Sequence, residues 1–213
     1  MHEITEEIAT TAAQKILDEF WKNKLRENFF PKFIDALNLE RGVEIGTDEG
    51  KFAYQLLFKS KLKSLWCVDT WQDGFGSDFR KSNFDDCGDV RFEKAQVNLL
   101  DFKKSDRCGF LRTTSVDAAS KFAPGDLDFV YIDGDHTVEG VLDDLKAWTS
   151  KVQHGIIAGH DYKNGGKNGC GLFGVKGNPL PYGVKTAVNY WCSKYGYQLH
   201  VVGRQIKSWW FLK

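Results

Sequence analysis

Along the first forty residues apolar side chains recur at helical spacing. Ile4, Ile8, Ala12, Ile16 and Phe20 fall four apart, with Leu17 and Trp21 beside them, which predicts a helical arm with one apolar stripe over residues 1–40. Pro31 is expected to interrupt or restart that helical region. From Gly42 the rhythm changes to short apolar runs alternating with amphipathic stretches. The runs at 42–46, 64–69, 108–113, 127–133 and 155–161 read as strands, and the stretches at 51–58, 90–100, 116–122 and 138–149 as helices. Strands that are almost continuously apolar and alternate with helices imply an α/β fold, a parallel sheet covered on both faces. The tail adds a helix at 184–194 and two strands, 198–202 and 208–212, with Gly203-Arg204 placed to turn an antiparallel hairpin.

The 213 residues, at about 150 per domain, suggest one domain, 41–213, carrying the arm. With 29 basic and 29 acidic residues the net charge is zero, so bulk electrostatics gives no reason to expect nucleic acid or an anionic membrane as partner. No run approaches the roughly 18 to 20 apolar residues of a membrane span, and the acidic start MHEITEEIAT does not read as a signal peptide. The five cysteines include no C-x-x-C pair, which suits free thiols in the cytoplasm rather than a disulfide framework or thiolate zinc site. The segment 165–183 is rich in glycine. It follows the last apolar strand of the parallel set, so it is expected at the carboxyl edge of the strands, where ligands bind in such sheets.

The first strand runs into Glu44-Ile45-Gly46-Thr47-Asp48-Glu49-Gly50-Lys51. A glycine turn opening a helix lets the backbone approach a ligand. Neither nucleotide fingerprint fits: the spacing from Gly46 to Gly50-Lys51 is too short for a P-loop, and acids stand where a dinucleotide site needs glycines. Acidic residues there tolerate a zwitterion bearing an amino group and a sulfonium. Asp69, followed by Thr70 and Trp71, closes the second strand, a position from which a carboxylate accepts ribose hydroxyls. Trp71 can stack on an adenine or cover the core. The strongest signal is the apolar run ending in Ile132-Asp133-Gly134-Asp135-His136, followed by a second run ending in His160-Asp161-Tyr162. Asp133, Asp135, His136, His160 and Asp161 are expected at one sheet edge, where converging like charges call for a proton or a bound cation. A mostly carboxylate set favours Mg²⁺, Ca²⁺ or Mn²⁺ over zinc.

On these motifs, from Arg41 to the C-terminus, the chain resembles the class I S-adenosylmethionine-dependent methyltransferases. Within them it is most similar to sugar and small-molecule O-methyltransferases of the macrocin and mycinose type. The resemblance implies a Rossmann-like seven-stranded, mostly parallel sheet with a C-terminal antiparallel hairpin and helices on both faces. It implies that Glu44, Gly46, Thr47 and Gly50 border the methionine part of S-adenosylmethionine, that Asp69 and Thr70 lie at the ribose, and that Ser115 lies near the adenine. Asp133 and Asp161, with His160 beside them, match positions that hold Mg²⁺ or a similar divalent ion. His136 matches a histidine that acts as general base. Many relatives carry two adjacent acids where this chain has His160-Asp161. The expected partner is a small-molecule acceptor with hydroxyl groups, with no nucleic acid and no membrane. Trp191, Trp209 and Trp210 suit either a core or a homo-oligomer interface. Two other function classes fit parts of the pattern, a metal-dependent hydrolase and a non-catalytic binding protein on the same fold. A hydrolase has no use for the Glu44–Gly50 turn.

Overall fold

Alternating side chains along the central strands feed two separate cores, one on each face of the sheet. The structure, a computed structural model, describes residues 3–20, 26–72, 87–165, 183–203 and 207–213. Strands β1 (Arg41–Ile45), β2 (Ser64–Asp69), β3 (Cys108–Arg112), β4 (Leu127–Ile132), β5 (Val152–Gly159), β6 (His200–Val202) and β7 (Ser208–Leu212) form one sheet in the order β3-β2-β1-β4-β5-β7-β6. The first five pair in parallel, while β7 runs antiparallel to both β5 and β6. This is the seven-stranded architecture expected from the sequence, hairpin strands included. The turn expected at Gly203-Arg204 lies partly outside the described residues.

One core takes Leu65, Cys67, Phe129, Tyr131, Ile156 and Ala158 from the sheet. It is covered by α1 (Glu6–Phe20), α2 (Arg26–Ala36) and α3 (Lys51–Lys59). The opposite core takes Val43, Ile45, Val68, Val130, Ile132 and Ile157. Near the β3 edge lie α4 (Gly88–Asn98) and α5 (Leu100–Lys104), where Leu99 and Phe102 add to the first core, while α6 (Ser115–Ala119), α7 (Val138–Trp148) and α8 (Val184–Tyr195) cover the second face. Burial on both faces explains why the parallel strands read as unbroken apolar runs. Trp191, Trp209 and Trp210 are all buried in these cores, and the cysteines among the described residues are free thiols. No helix among the described residues is long and apolar enough to cross a membrane.

The arm departs from its expected pattern in two ways. Steps of four residues advance about 40° around a helix, so the stripe Ile4-Ile8-Ala12-Ile16 winds off the face it starts on. The buried line is instead Ala9, Ala13 and Ile16, and Ile8 is 49% exposed. Trp21 lies outside the described residues. Pro31 does not interrupt the second helix but sits buried inside it. The hydrogen bond its missing N–H would have given to the Glu27 carbonyl is replaced by Lys59 Nζ, which donates to that oxygen at 3.2 Å.

Smaller corrections follow local chemistry. The helix expected at 90–100 is two helices, broken at Leu99, whose ψ of 12° leaves the helical region. The helix expected at 116–122 starts one residue earlier and is shorter, because Thr114 caps it by accepting from the Asp117 N–H. Strand β5 starts three residues before the expected 155. Val152 pairs with Leu127 ahead of a register shift, and the exposed Gln153 and His154 hide that pairing from the apolar pattern.

Candidate active site

The strand order reverses between β1 and β4, and in open α/β sheets ligands bind in the crevice outside the carboxyl ends of the strands at such a reversal. Most of the residues the sequence singled out stand at those carboxyl ends, the rim of the site. Ladder bonds carry each strand to the rim: Gly46 N–H donates to Val68 O at 2.8 Å, Asp133 N–H to Ile45 O at 2.8 Å, and His160 N–H to Ile132 O at 3.0 Å. Gly46 has φ +82°, and a Cβ there would stand 2.1 Å from the Asp133 carbonyl oxygen. Only glycine lets the β1 turn pass this close to the β4 turn.

Glu44 points from β1 toward the arm-covered face, level with Cys67 and Tyr131. It is 2% exposed, and its Oε2 has no hydrogen-bond partner. Burial pushes its carboxyl well above the usual range, with the charge of Arg26 acting in the opposite direction. Buried Thr47 donates its hydroxyl to the Glu44 carbonyl. Asp69 accepts the Asp48 and Trp71 backbone N–H groups, each at 2.9 Å, one on each oxygen. These bonds fix the carboxylate at the β2 edge, with half-buried Thr70 next to it.

Asp133, His136, His160 and Asp161 converge. His136 Nε2 lies 3.3 Å from Asp133 Oδ1 and 3.5 Å from Asp161 Oδ2. His160 Nδ1 lies 3.6 and 3.7 Å from the same two oxygens, and Lys163 Nζ is 3.1 Å from Asp161 Oδ1. Burial alone would raise the Asp133 pKa, but contacts with His136 and His160 and the charge of Arg26 outweigh it and hold the group well below the ordinary range. For His160 burial lowers the pKa, and the two aspartates overcome that and raise it. The strand ends at Gly159, and Asp161, at φ 52°, turns the chain so that its carboxylate faces back into the cluster.

Three further residues have partners outside the cluster. Asp135 is exposed and accepts the Thr137 N–H at 2.8 Å at the entrance to α7, so it stands apart from the cluster it was expected to join. Its two-residue offset from Asp133 turns it away once the strand has ended. Trp71 is 1% exposed, packs on Phe92 and Phe110, and donates Nε1–H to the Asp48 carbonyl at 2.8 Å; it covers the core. Ser115, at the start of α6, accepts from Trp148 Nε1 at 2.8 Å. The segment 166–182 lies outside the described residues, and with it most of the glycine-rich stretch.

Sequence reasoning missed Arg26. Its Nη1 donates to Asp133 Oδ2 at 2.6 Å, and its guanidinium lies 4.4 Å from the Phe52 ring centre and 5.9 Å from that of Tyr131. The signal was available in the spacing. Arg26 precedes Phe29, Phe30, Phe33 and Ile34, all buried, by helical intervals, and a cation on an apolar stripe needs an anion.

Oxygens of Asp133 and Asp161 and a ring nitrogen of His160 lie within 4.8 Å of one another, a donor set that suits a divalent ion. The histidine favours Mn²⁺ or another transition ion more than a wholly carboxylate set would. The orphaned Glu44 oxygen and the Cβ-free Gly46 turn beside fixed Asp69 fit a ligand carrying an ammonium group at one end and hydroxyls at the other.

Comparison with known proteins bears on the family and the fold. A family model described as a methyltransferase domain matches residues 43–162, more than half of the chain. No curated protein matches. Among solved structures, a protein from Staphylococcus aureus assigned as a caffeoyl-CoA O-methyltransferase is 13% identical, with 93% of this chain and 91% of that one covered at a TM-score of 0.65. An O-methyltransferase from Bacillus cereus in complex with SAH is 11% identical, covering 99% and 92% at a TM-score of 0.64. An assigned O-methyltransferase from Klebsiella pneumoniae is 12% identical, covering 99% and 91% at 0.62. At these identities the likeness is one of fold.

Proposed function

The chain belongs to the methyltransferase-domain family, and from that premise we propose that it moves a methyl group from S-adenosylmethionine to a hydroxyl of a sugar or other small molecule. The observation that carries this reading is the placement of three motifs around one crevice. The Glu44–Gly50 turn, the Asp69 edge and the Asp133–His136–His160–Asp161 cluster all stand where the strand order reverses.

When bound, S-adenosylmethionine supplies an electrophilic methyl on a sulfonium, and a divalent ion held by Asp133, Asp161 and His160 supplies Lewis acidity toward an acceptor hydroxyl. The residues of this chain do the rest. Glu44, Thr47, Gly46 and Gly50 border the methionine part, and the unpartnered Glu44 oxygen accepts from its ammonium. Asp69, with Thr70, takes the ribose hydroxyls on its remaining lone pairs. Ser115 stands at the adenine side. In-line displacement needs donor and acceptor held in register, which the fixed β1, β2 and β4 turns provide.

His136 removes the acceptor proton as general base. Its ring nitrogen is 3.3 and 3.5 Å from the two aspartate oxygens, which hold the ring in place. Asp133 both orients His136 and contributes to the cation site.

Incubating the protein with methyl-labelled S-adenosylmethionine and a panel of sugars, glycosylated metabolites and catechols tests the reading. Label is expected in a hydroxylated acceptor. No label in any hydroxylated acceptor of the panel would contradict transfer to oxygen.

A further inference from the structure

Arg26 makes the tightest contact that Asp133 has. At 2.6 Å it is shorter than the approaches of His136, at 3.3 Å, and His160, at 3.6 Å. The guanidinium is held from both sides. Below it lie the rings of Phe52 and Tyr131, and behind it α2 is anchored by Phe29, Phe30, Phe33 and Ile34 in the core. It also faces Glu44, whose remaining oxygen has no partner.

Counted by charge, the cluster is already supplied. Asp133 pairs with Arg26, and Asp161 pairs with Lys163. A divalent ion placed on Asp133 would meet the guanidinium on the same carboxylate, and like charges at that range repel strongly where water is scarce. Arg26 in its present position and a divalent ion on Asp133 are therefore alternatives.

We propose that Arg26 is a tethered cation that holds Asp133 in the ligand-free protein and must release it before a divalent ion can bind, so that loading of the Asp133–His160–Asp161 site is coupled to the amino end of α2. The proposal rests on reading that cluster as a divalent-cation site. Because Arg26 opens α2 one helical turn before Phe29 and Phe30, withdrawing its guanidinium from the aromatic seat loosens the first turn of α2. The arm thereby senses whether the site is charged, without touching the acceptor. Lysine would be a poor substitute, since a planar guanidinium can lie on an aromatic ring and bond a carboxylate at its edge.

Mn²⁺ serves as the probe, bound to the full chain and followed by calorimetry and by the paramagnetic signal of the free ion. Arg26→Gln removes the charge and leaves a shorter, unbranched polar side chain. It is expected to bind Mn²⁺ at least about tenfold tighter than wild type, the scale of coupling seen for close charge pairs. Equal or weaker binding by the variant would overturn the proposal, as would the absence of Mn²⁺ binding to both proteins. S-adenosylhomocysteine binding in the same samples reports separately on the methyltransferase reading, which survives if the donor still binds. The wild type gives a second test that needs no substitution. Saturating Mn²⁺ should speed hydrogen exchange in the amino-terminal turns of α2 and leave the carboxyl end of α2 unchanged. Unaltered exchange throughout α2 at saturation would contradict the coupling.

Discussion

Arg26 Nη1 and Asp133 Oδ2 lie 2.6 Å apart although 107 residues separate them in the chain. The contact joins the N-terminal arm to the end of the central strand β4 and puts a cation from one into the chemistry of the other. Asp133→Asn breaks it and also removes a ligand from the cation site. Stability should fall by about 1 to 3 kcal/mol, because Arg26 loses the partner that compensates its burial. Divalent-ion binding and turnover should be lost together. Denaturation with urea and Mn²⁺ titration measure the two effects. Full activity of the wild type after exhaustive chelation would show that the cation has no part in the reaction.

His136 stands between two carboxylates at the crevice. As general base it should contribute about 10² to 10⁴ in turnover, so His136→Ala should lose that factor while still binding S-adenosylhomocysteine. Single-turnover assays with the acceptor identified by labelling provide the test. An unchanged rate in the folded variant would remove His136 from that role.

Gly46→Ala should be damaging out of proportion to one methyl group. The residue must hold φ +82°, and its new Cβ would press on the Asp133 carbonyl at 2.1 Å. Either the β1 turn or the β4 turn has to move. A stability loss of about 1 to 3 kcal/mol is expected from the strain, together with loss of S-adenosylhomocysteine binding. Calorimetry and urea denaturation of the variant would show both, and normal donor affinity would mean that the turn does not border the ligand.

The sequence carried the strands and the acids at their ends because both depend on short-range patterns. Apolar runs ending in acids mark strand ends wherever the sheet is parallel, so Glu44, Asp69, Asp133 and Asp161 could be placed before any contact was known. What it hid depends on geometry between distant segments. Arg26 becomes a site residue only when α2 packs on Phe52 and Tyr131. Pro31 is tolerated only because Lys59 reaches the Glu27 carbonyl. Trp71 offered an adenine platform or a core side chain, and its packing on Phe92 and Phe110 selects the core.

Asp144, buried on α7, is pushed up to about 7, chiefly by burial, with a Ser115 hydrogen bond acting against it and the nearby Asp135 and Asp143 charges adding to it. Its folded value lies above the ordinary aspartate value of 3.8, so the folded state keeps a proton that the unfolded chain releases. The stabilisation is complete below about pH 4 and is lost as pH rises to about 7, at up to about 1.4 kcal/mol per pH unit. Asp144→Asn removes this dependence, so the variant should gain on wild type from pH 5 to pH 7 and hold its lead above. Urea denaturation at several pH values checks the trend. A difference between the two proteins that does not change with pH would contradict it.

The central claim is that the crevice between β1 and β4 binds the methyl donor. Calorimetric titration of the purified protein with S-adenosylhomocysteine, with and without Mg²⁺, tests it most directly. The account predicts micromolar binding that Asp69→Ala abolishes. No binding in either condition would contradict the methyltransferase assignment of this site.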